Sequence, residues 1–187
     1  MISVRQLHKT YHRGEEAIHA LRGIDLEIEK GESIVILGPS GGGKSTLLNM
    51  LGGIDRPTSG AVTINGFELE KANEAALTLF RRDHVGFIFQ FYNLISALNA
   101  VENVSLPLMA RGMAYKQARQ RAAEILHRVG LEQRLEHLPA ELSGGEQQRV
   151  AIARSIICEP DLVLADEPTG NLDSVSAHEV TSLMHEL

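Results

Sequence analysis

The sequence of 187 residues predicts an α/β fold with a mostly parallel core sheet. Three short apolar runs rich in branched residues predict buried strands: residues 33–37 (SIVIL), 85–90 (VGFIFQ) and 161–168 (DLVLADEP). Segments with helical periodicity follow each run. Buried strands that alternate with helices are typical of a parallel sheet covered on both faces.

Each helical segment carries an apolar face or a glycine stop. The glycine-rich stretch after residue 37 leads into a helix that is predicted to end near Gly52 and Gly53. Gly130 is predicted to end the next clear helix, which begins near residue 115. Its apolar face comprises Ala118, Ala122, Ile125, Leu126 and Val129. A final helix from residue 175 directs inward Val180, Leu183, Met184 and Leu187.

Two parts of the chain depart from this alternation. Residues 4–11, 20–32 and 60–69 alternate in polarity and turn tightly, which predicts a small N-terminal antiparallel β region. Residues 93–145 are mainly helical and lie between two predicted sheet strands. We therefore expect them to form an inserted helical subdomain.

Composition narrows the function classes. A net charge of −6 gives no argument for nucleic-acid binding. No apolar run approaches the roughly 20 residues that span a bilayer, and the polar N-terminus does not resemble a signal peptide. Cys158 follows Ile156 and Ile157, which predicts a buried thiol. As the single cysteine it cannot form an internal disulfide, which suits a reducing compartment.

A phosphate-binding loop, residues 38–46 (GPSGGGKST), follows the first predicted strand and precedes a helix. Glycines let backbone N–H groups converge on phosphate, Lys44 reaches the β- and γ-phosphates, and the Ser45 hydroxyl completes the Mg²⁺ shell. An ordinary glycine turn with a surface lysine is the alternative, and the flanking strand and helix disfavour it. The predicted contacts are Gly38, Pro39, Ser40, Gly41, Gly42, Gly43, Lys44, Ser45 and Thr46.

Three polar residues end the other two predicted strands. Asp166 would be costly to bury without a cation, which predicts a role in holding Mg²⁺, mainly through water. Glu167 is placed to polarise the water that attacks the γ-phosphate. An acidic pair that starts a helix before Pro168 is the alternative. Gln90 can ligate Mg²⁺ and contact the attacking water.

The stretch LSGGEQQRVAIARS, residues 142–155, opens with a bare glycine turn and continues as a helix. This stretch follows the Lys44 loop and Gln90 along the chain, and it precedes DE (residues 166–167) and NLD (residues 171–173). Motifs in this order resemble those of the ATP-binding subunits of ABC transporters. That resemblance implies two subunits that sandwich two ATP molecules. Ser143, Gly144 and Gly145 then cap the γ-phosphate held by the partner subunit's Lys44 loop. A simple helix cap is the alternative.

The resemblance assigns three further positions. Tyr11 corresponds to an aromatic ring that stacks on adenine, and a partly buried strand tyrosine is the alternative. Asp173 corresponds to a loop that communicates across the dimer. Residues 91–108 resemble the segment that receives a helix of the membrane subunit, with Phe91, Tyr92 and Leu94 as an exposed apolar groove. These three side chains could equally belong to the helical core.

Within the family, residues 91–108 and DEPTGNLD look most like the lipoprotein-release and macrolide-export group. The resemblance implies an ATPase that uses ATP and Mg²⁺, pairs with a second copy and powers a separate membrane permease. It would be cytoplasmic and peripheral on the inner face of the cell membrane. Alternatives are a regulatory ATPase of the cell-division type and a DNA-repair ATPase. The latter lacks support because no coiled-coil insertion or zinc-binding cysteine set is present.

The family pattern continues beyond the last residue of this sequence. It adds a strand between those leading to Lys44 and Asp166, followed by a loop with a switch histidine. No strand precedes His178 or His185, so neither is expected to substitute. Without that central strand, the backbone N–H and C=O groups of the two neighbouring strands would lack hydrogen-bond partners, which is destabilising. We therefore expect residues 1–187 to be an incomplete domain that is unstable and hydrolyses ATP poorly.

Overall fold

The computed structural model describes residues 1–186, which fall into two units. The first comprises Met1–Arg81 and the second begins at Arg82. Each unit has its own sheet and its own set of buried apolar side chains.

The sheet of the first unit is antiparallel, as the sequence predicts. Its four strands lie in the order β2-β1-β3-β4. The strands are β1 (Ile2–Arg13), β2 (Glu16–Ile28), β3 (Ser59–Ile64) and β4 (Phe67–Glu68). Ile2 and Val4 of β1 point into the core, and Leu7 is buried with them because the register of β1 against β2 shifts between Val4 and Leu7.

Helices α1 (Lys44–Leu51) and α2 (Glu74–His84) and a 3-10 turn (Leu69–Lys71) complete the elements that begin in this unit. Helix α1 ends at Gly52, as predicted, and the amide of Gly52 bonds to the Leu48 carbonyl at 2.8 Å. The α1 side chains that enter the core are Leu47, Met50 and Leu51.

The strand predicted at residues 33–37 is wrong. These residues form no regular secondary structure, and Val35 and Leu37 are 78% and 87% exposed. The apolar pattern shows only that the segment has side chains suited to burial. A strand also needs a neighbour for its backbone groups, and among the described residues none pairs with this segment.

In the second unit, β5 (Val85–Ile88) and β6 (Leu162–Ala165) pair in parallel, as predicted. The register sets Val85 opposite Leu162 and Ile88 opposite Ala165. Helix α5 (Gly144–Ile156) lies directly against β5. A Cβ on Gly86 would stand 2.3 Å from the Ser155 carbonyl oxygen, so only glycine permits this approach.

Helices α3 (Ala100–Ala110) and α4 (Tyr115–Arg128) share a core with α5. The predicted face of α4 is confirmed, with Ile125 partly buried and the others buried: Ala118, Ala122, Leu126 and Val129. Gly130 adopts a positive φ of 75°, as expected of a helix stop. A separate helical subdomain at 93–145 stays a prediction.

Helix α6 (Ser174–Glu186) packs Val180 beside Ile88 and Ile152, with Leu183 and Met184 partly buried. The predicted inward position of Leu187 lies outside the described residues. Cys158 is only half-buried, and this burial raises the pKa of its thiol. Within residues 1–186, no helix combines the length and apolarity needed to cross a bilayer.

Candidate functional site

The phosphate loop depends on glycine at its entry into α1. Gly41 and Gly43 have φ values of 76° and 86°, in the left-handed region that glycine favours. A Cβ on Gly43 would also lie 2.5 Å from the Ala20 carbonyl oxygen. Residues 38–42 are exposed, so their backbone is accessible to a ligand.

The loop presents positive charge and amide groups in one place. The ammonium of Lys44 turns over the loop and donates to the carbonyls of Gly38 and Pro39 at 3.0 and 3.1 Å. No side chain caps the N-terminus of α1, and its first turn contains no acidic residue. A free helix N-terminus beside a lysine fits the phosphates of a nucleotide.

Tyr11 lies in the same unit, in a small network with Lys9 and Asp55. Its hydroxyl donates to Asp55 Oδ2 at 2.9 Å, and Lys9 Nζ lies over the ring, 4.8 Å from the centroid. Burial and the bond to Asp55 raise the pKa of Tyr11. The ring is 38% exposed, so it is not a core tyrosine and can still accept a stacking partner.

Gln90, Asp166 and Glu167 come together at the carboxyl ends of β5 and β6. The amide of Asp166 donates to the Ile88 carbonyl at 3.0 Å, which continues the ladder past the last paired residues. The side chain of Asn171 donates to the Gln90 carbonyl at 2.8 Å. The parallel pairing predicted from the sequence thus brings both strand ends to one edge.

Glu167 is exposed and has a positive φ of 45°. A left-handed conformation at a residue other than glycine costs about 1–3 kcal/mol and is concentrated at functional sites. The amide of Gly170, three residues later, donates to the Glu167 carbonyl at 3.0 Å and closes a tight turn. The carboxylate is therefore held at the surface by a strained but internally bonded backbone.

The signature turn, Ser143, Gly144 and Gly145, begins helix α5 with a capping box. Ser143 Oγ accepts from the amide of Glu146, and Glu146 Oε2 accepts from the amide of Ser143 at 2.8 Å. The guanidinium of Arg134 bonds Glu146 and, with the Ser143 bonds, lowers the pKa of that carboxyl. The alternative of a helix cap is thus realised, and Ser143 nonetheless remains exposed.

The two glycines of the signature turn also allow close packing within the chain. A Cβ on Gly144 would lie 3.0 Å from the Tyr92 hydroxyl oxygen, and one on Gly145 would lie 3.2 Å from Ser176 Oγ. Ser176 in turn donates to Asp173 Oδ2 at 2.7 Å. The signature turn and the Asp173 loop are therefore neighbours in a single copy.

The three apolar residues after Gln90 were predicted either to form an exposed docking groove or to belong to the helical core, and they do not all follow the same prediction. Phe91 is 72% exposed, as a docking groove requires. Leu94 instead packs against the helical core, and Tyr92 is half-buried beside Gly144. Only Phe91 fits the exposed reading fully.

Comparison with known proteins identifies the family. The sequence profile described as "ABC transporter" matches residues 21–170, which is most of the chain. The chain belongs to the ABC transporter family. It is an ATP-binding subunit with ATPase activity and with ATP and Mg²⁺ as its cofactors, as the sequence predicts.

Individual relatives and solved structures agree with this assignment. The lipoprotein-releasing system ATP-binding protein LolD of Legionella pneumophila (strain Paris) is 50% identical over all 187 residues, which cover 82% of its length. LolD of Pseudomonas syringae pv. tomato gives the same identity and coverage. A dimeric post-hydrolysis structure of the ATP-binding cassette MJ0796 with ADP and Pi superposes with a TM-score of 0.92. It is 44% identical, with 100% of this chain and 82% of the other covered.

The family and the donor chemistry agree on the metal. The predicted ligands Ser45, Gln90 and Asp166 supply hydroxyl, amide and carboxylate oxygens, the donor type that Mg²⁺ prefers. The described residues contain no cluster of three or more His, Cys, Asp or Glu side chains placed to hold a metal.

Sequence reasoning missed two residues that contact the site loops, Gln148 and Arg154. Both lie on α5, and Gln148 is fully buried. Their spacing offered a signal. Gln148 lies four residues before the buried Ile152, and Arg154 lies four residues after the buried Val150. Each position is therefore on an inward-facing row of the helix.

Proposed function

We propose that this chain powers lipoprotein release through a separate membrane permease, as a homodimer on the inner face of the cell membrane. The observation that carries this proposal is the identity of about 50% to LolD proteins across every residue of the chain. The dimeric state of the MJ0796 cassette supports the pairing of two copies. An export function of the macrolide type belongs to the same proposal with a different permease.

In the proposed mechanism, the phosphate loop binds the triphosphate. The Lys44 ammonium exchanges its bonds to the Gly38 and Pro39 carbonyls for bonds to phosphate oxygens, which carry full charge and bind it more strongly. The first-turn amides of α1 add donors to the same oxygens. The exposed ring of Tyr11 stacks on adenine.

The second unit supplies the hydrolytic groups. Glu167 accepts a hydrogen bond from the attacking water and polarises it, and the Gln90 amide fixes the position of that water. Ser45, Gln90 and Asp166 would hold Mg²⁺, which would supply positive charge beside the phosphates. Most of the rate enhancement then comes from positioning and electrostatics.

The signature turn closes the site in the dimer. Ser143, Gly144 and Gly145 of one copy present a helix N-terminus to the γ-phosphate bound by the other. Asp173, one loop away in the same copy, senses that contact through Ser176. A protein that stays monomeric at saturating ATP, with turnover unchanged by Ser143→Ala, contradicts this step.

Reconstitution tests the proposal as a whole. The ATPase is co-expressed with candidate permeases and purified by a tag on the permease. ATP-dependent release of a lipidated protein from proteoliposomes is then measured, with Glu167→Gln as the inactive control. We expect release only with wild-type ATPase and ATP. Stable binding to a membrane complex without any substrate release supports a regulatory ATPase instead.

A further inference from the structure

Helix α5 contacts both loops that carry the proposed hydrolytic residues. Its N-terminus forms the signature turn, and its body packs against β5 through Gly86. From this central position, two of its side chains reach backbone carbonyls beside Gln90 and Glu167. Neither side chain has a role in the mechanism above.

Gln148 bonds the loop that carries Glu167. Its Nε2 donates to the Pro168 carbonyl at 2.7 Å, one residue beyond the strained Glu167. The residue is fully buried, and its Oε1 has no hydrogen-bond partner among the described residues. A buried amide with an unpaired acceptor lowers stability. The unpaired acceptor therefore offsets part of the stability that the bond to Pro168 contributes.

Arg154 bonds the loop that follows Gln90. Its guanidinium donates to the carbonyls of Tyr92 and Asn93 at 2.7 and 2.6 Å. Both residues have positive φ, 59° and 49°, and so hold a backbone conformation that needs external support. Burial lowers the pKa of the Arg154 guanidinium.

We infer that Gln148 and Arg154 are positioning residues that transmit the state of the signature turn to Glu167 and Gln90. Asn171 joins the two loops directly by its bond to the Gln90 carbonyl, so that they move together. Any tilt of α5 when the signature turn meets phosphate pulls on both loops at once. This inference rests on the proposed roles of Glu167 and Gln90.

The central test replaces Gln148 by methionine, which keeps the volume and removes both the donor and the unpaired acceptor. We expect ATP affinity to be unchanged and kcat to fall about tenfold, because misplacement of a catalytic group by a fraction of an ångström is costly. We expect the urea midpoint to change little, because the substitution removes the unpaired Oε1 acceptor but also takes the donor from the Pro168 carbonyl. Amide hydrogen exchange in residues 166–172 should become faster. Gln120→Met, at an exposed position of α4, is the matched control.

Arg154 supplies an independent second test. Arg154→Lys keeps the charge but cannot bond two carbonyls with one planar group. We expect it to accelerate exchange in residues 91–93 and to lower kcat as much as Arg154→Met does. Arg121→Met, at an exposed position of α4, should change neither quantity.

The outcomes separate this inference from the proposed function. Unchanged exchange in both loops overturns the inference, and so does a loss of turnover fully explained by a lower urea midpoint. If wild-type protein neither binds nor hydrolyses ATP, the proposed function fails. Faster exchange confined to the two loops would still establish that α5 holds them.

Discussion

Two apolar runs of similar composition lead to the two halves of the proposed chemistry, and only one of them is a strand. Residues 33–37 lead to the phosphate loop and are exposed, whereas β6 leads to Asp166 and Glu167 and pairs along its length with β5. Val35 is 78% exposed, while Leu164 is 4% exposed. The local sequence is equally suited to a strand in both cases.

The difference shows that a ladder partner decides whether an apolar run becomes a strand. β6 has β5 beside it, and α5 packs against β5. Residues 33–37 have no paired neighbour among the described residues. The glycines of the phosphate loop keep their positive φ regardless, because that conformation is local.

The sharpest separation of the two regions comes from Glu167→Gln. The amide cannot accept the proton from water, so we expect kcat to fall by about 10²–10⁴-fold with ATP affinity retained. Phosphate release and equilibrium nucleotide binding measure the two effects. Unchanged turnover would show that another group is the base.

Truncation of each apolar run tests the comparison directly. Leu164→Ala should lower the free energy of unfolding by about 2–5 kcal/mol, because the side chain is buried. Val35→Ala should change it by less than about 0.5 kcal/mol. Urea denaturation measures both. Equal losses would show that residues 33–37 are buried in solution.

Lys44→Ala should weaken ATP binding, whereas Glu167→Gln should slow turnover. Loss of the ammonium removes about 2–3 kcal/mol of charge-assisted bonding to phosphate, which raises the Kd for ATP by about 100-fold. Titration calorimetry checks this value, and Lys30→Ala, at an exposed position, is the control. Retained affinity would place the nucleotide elsewhere.

Tyr11 offers a smaller change in the same region. Tyr11→Ala should raise the Kd for ATP about tenfold, since stacking of a base on an aromatic ring contributes about 1–3 kcal/mol. Tyr11→Phe keeps the ring and loses the hydroxyl, which bonds Asp55 and Thr46, and should change the Kd by less than about twofold. If both variants bind ATP as the wild type does, the tyrosine has a structural role only.

The smallest expected effect concerns Glu146 at the signature turn. Its pKa lies below the usual 4.5, so its stabilising contribution is fully present above pH 4.5 and is lost as pH falls further through the folded pKa. Glu146→Gln should cost about 0.5–1 kcal/mol at pH 7. The difference should shrink as pH falls below 4.5 and through the folded pKa of Glu146, as acid denaturation can measure. A constant difference across pH would exclude the charge as its cause.

The sequence predicted local features more reliably than long-range pairing. The phosphate-loop glycines, the face of α4 and the ends of β5 and β6 depend on spacing and residue type, and they agree with the structure. The strand prediction for residues 33–37 was wrong because the run itself does not encode the neighbouring strand with which it would pair. The contacts of Gln148 and Arg154 with distant carbonyls were likewise invisible, since a single sequence shows no pairing between remote residues.

Gly86 has an ordinary backbone conformation, so its lack of a side chain serves proximity alone. The strand that ends near Gln90 and the helix that starts at the signature turn approach so closely at residue 86 that a methyl group would overlap the Ser155 carbonyl oxygen, at 2.3 Å. Gly86→Ala would therefore act as a wedge, and its effect should reach both ends of the site although residue 86 touches neither. In a saturation library, this position should tolerate substitution less than any exposed residue of the phosphate loop.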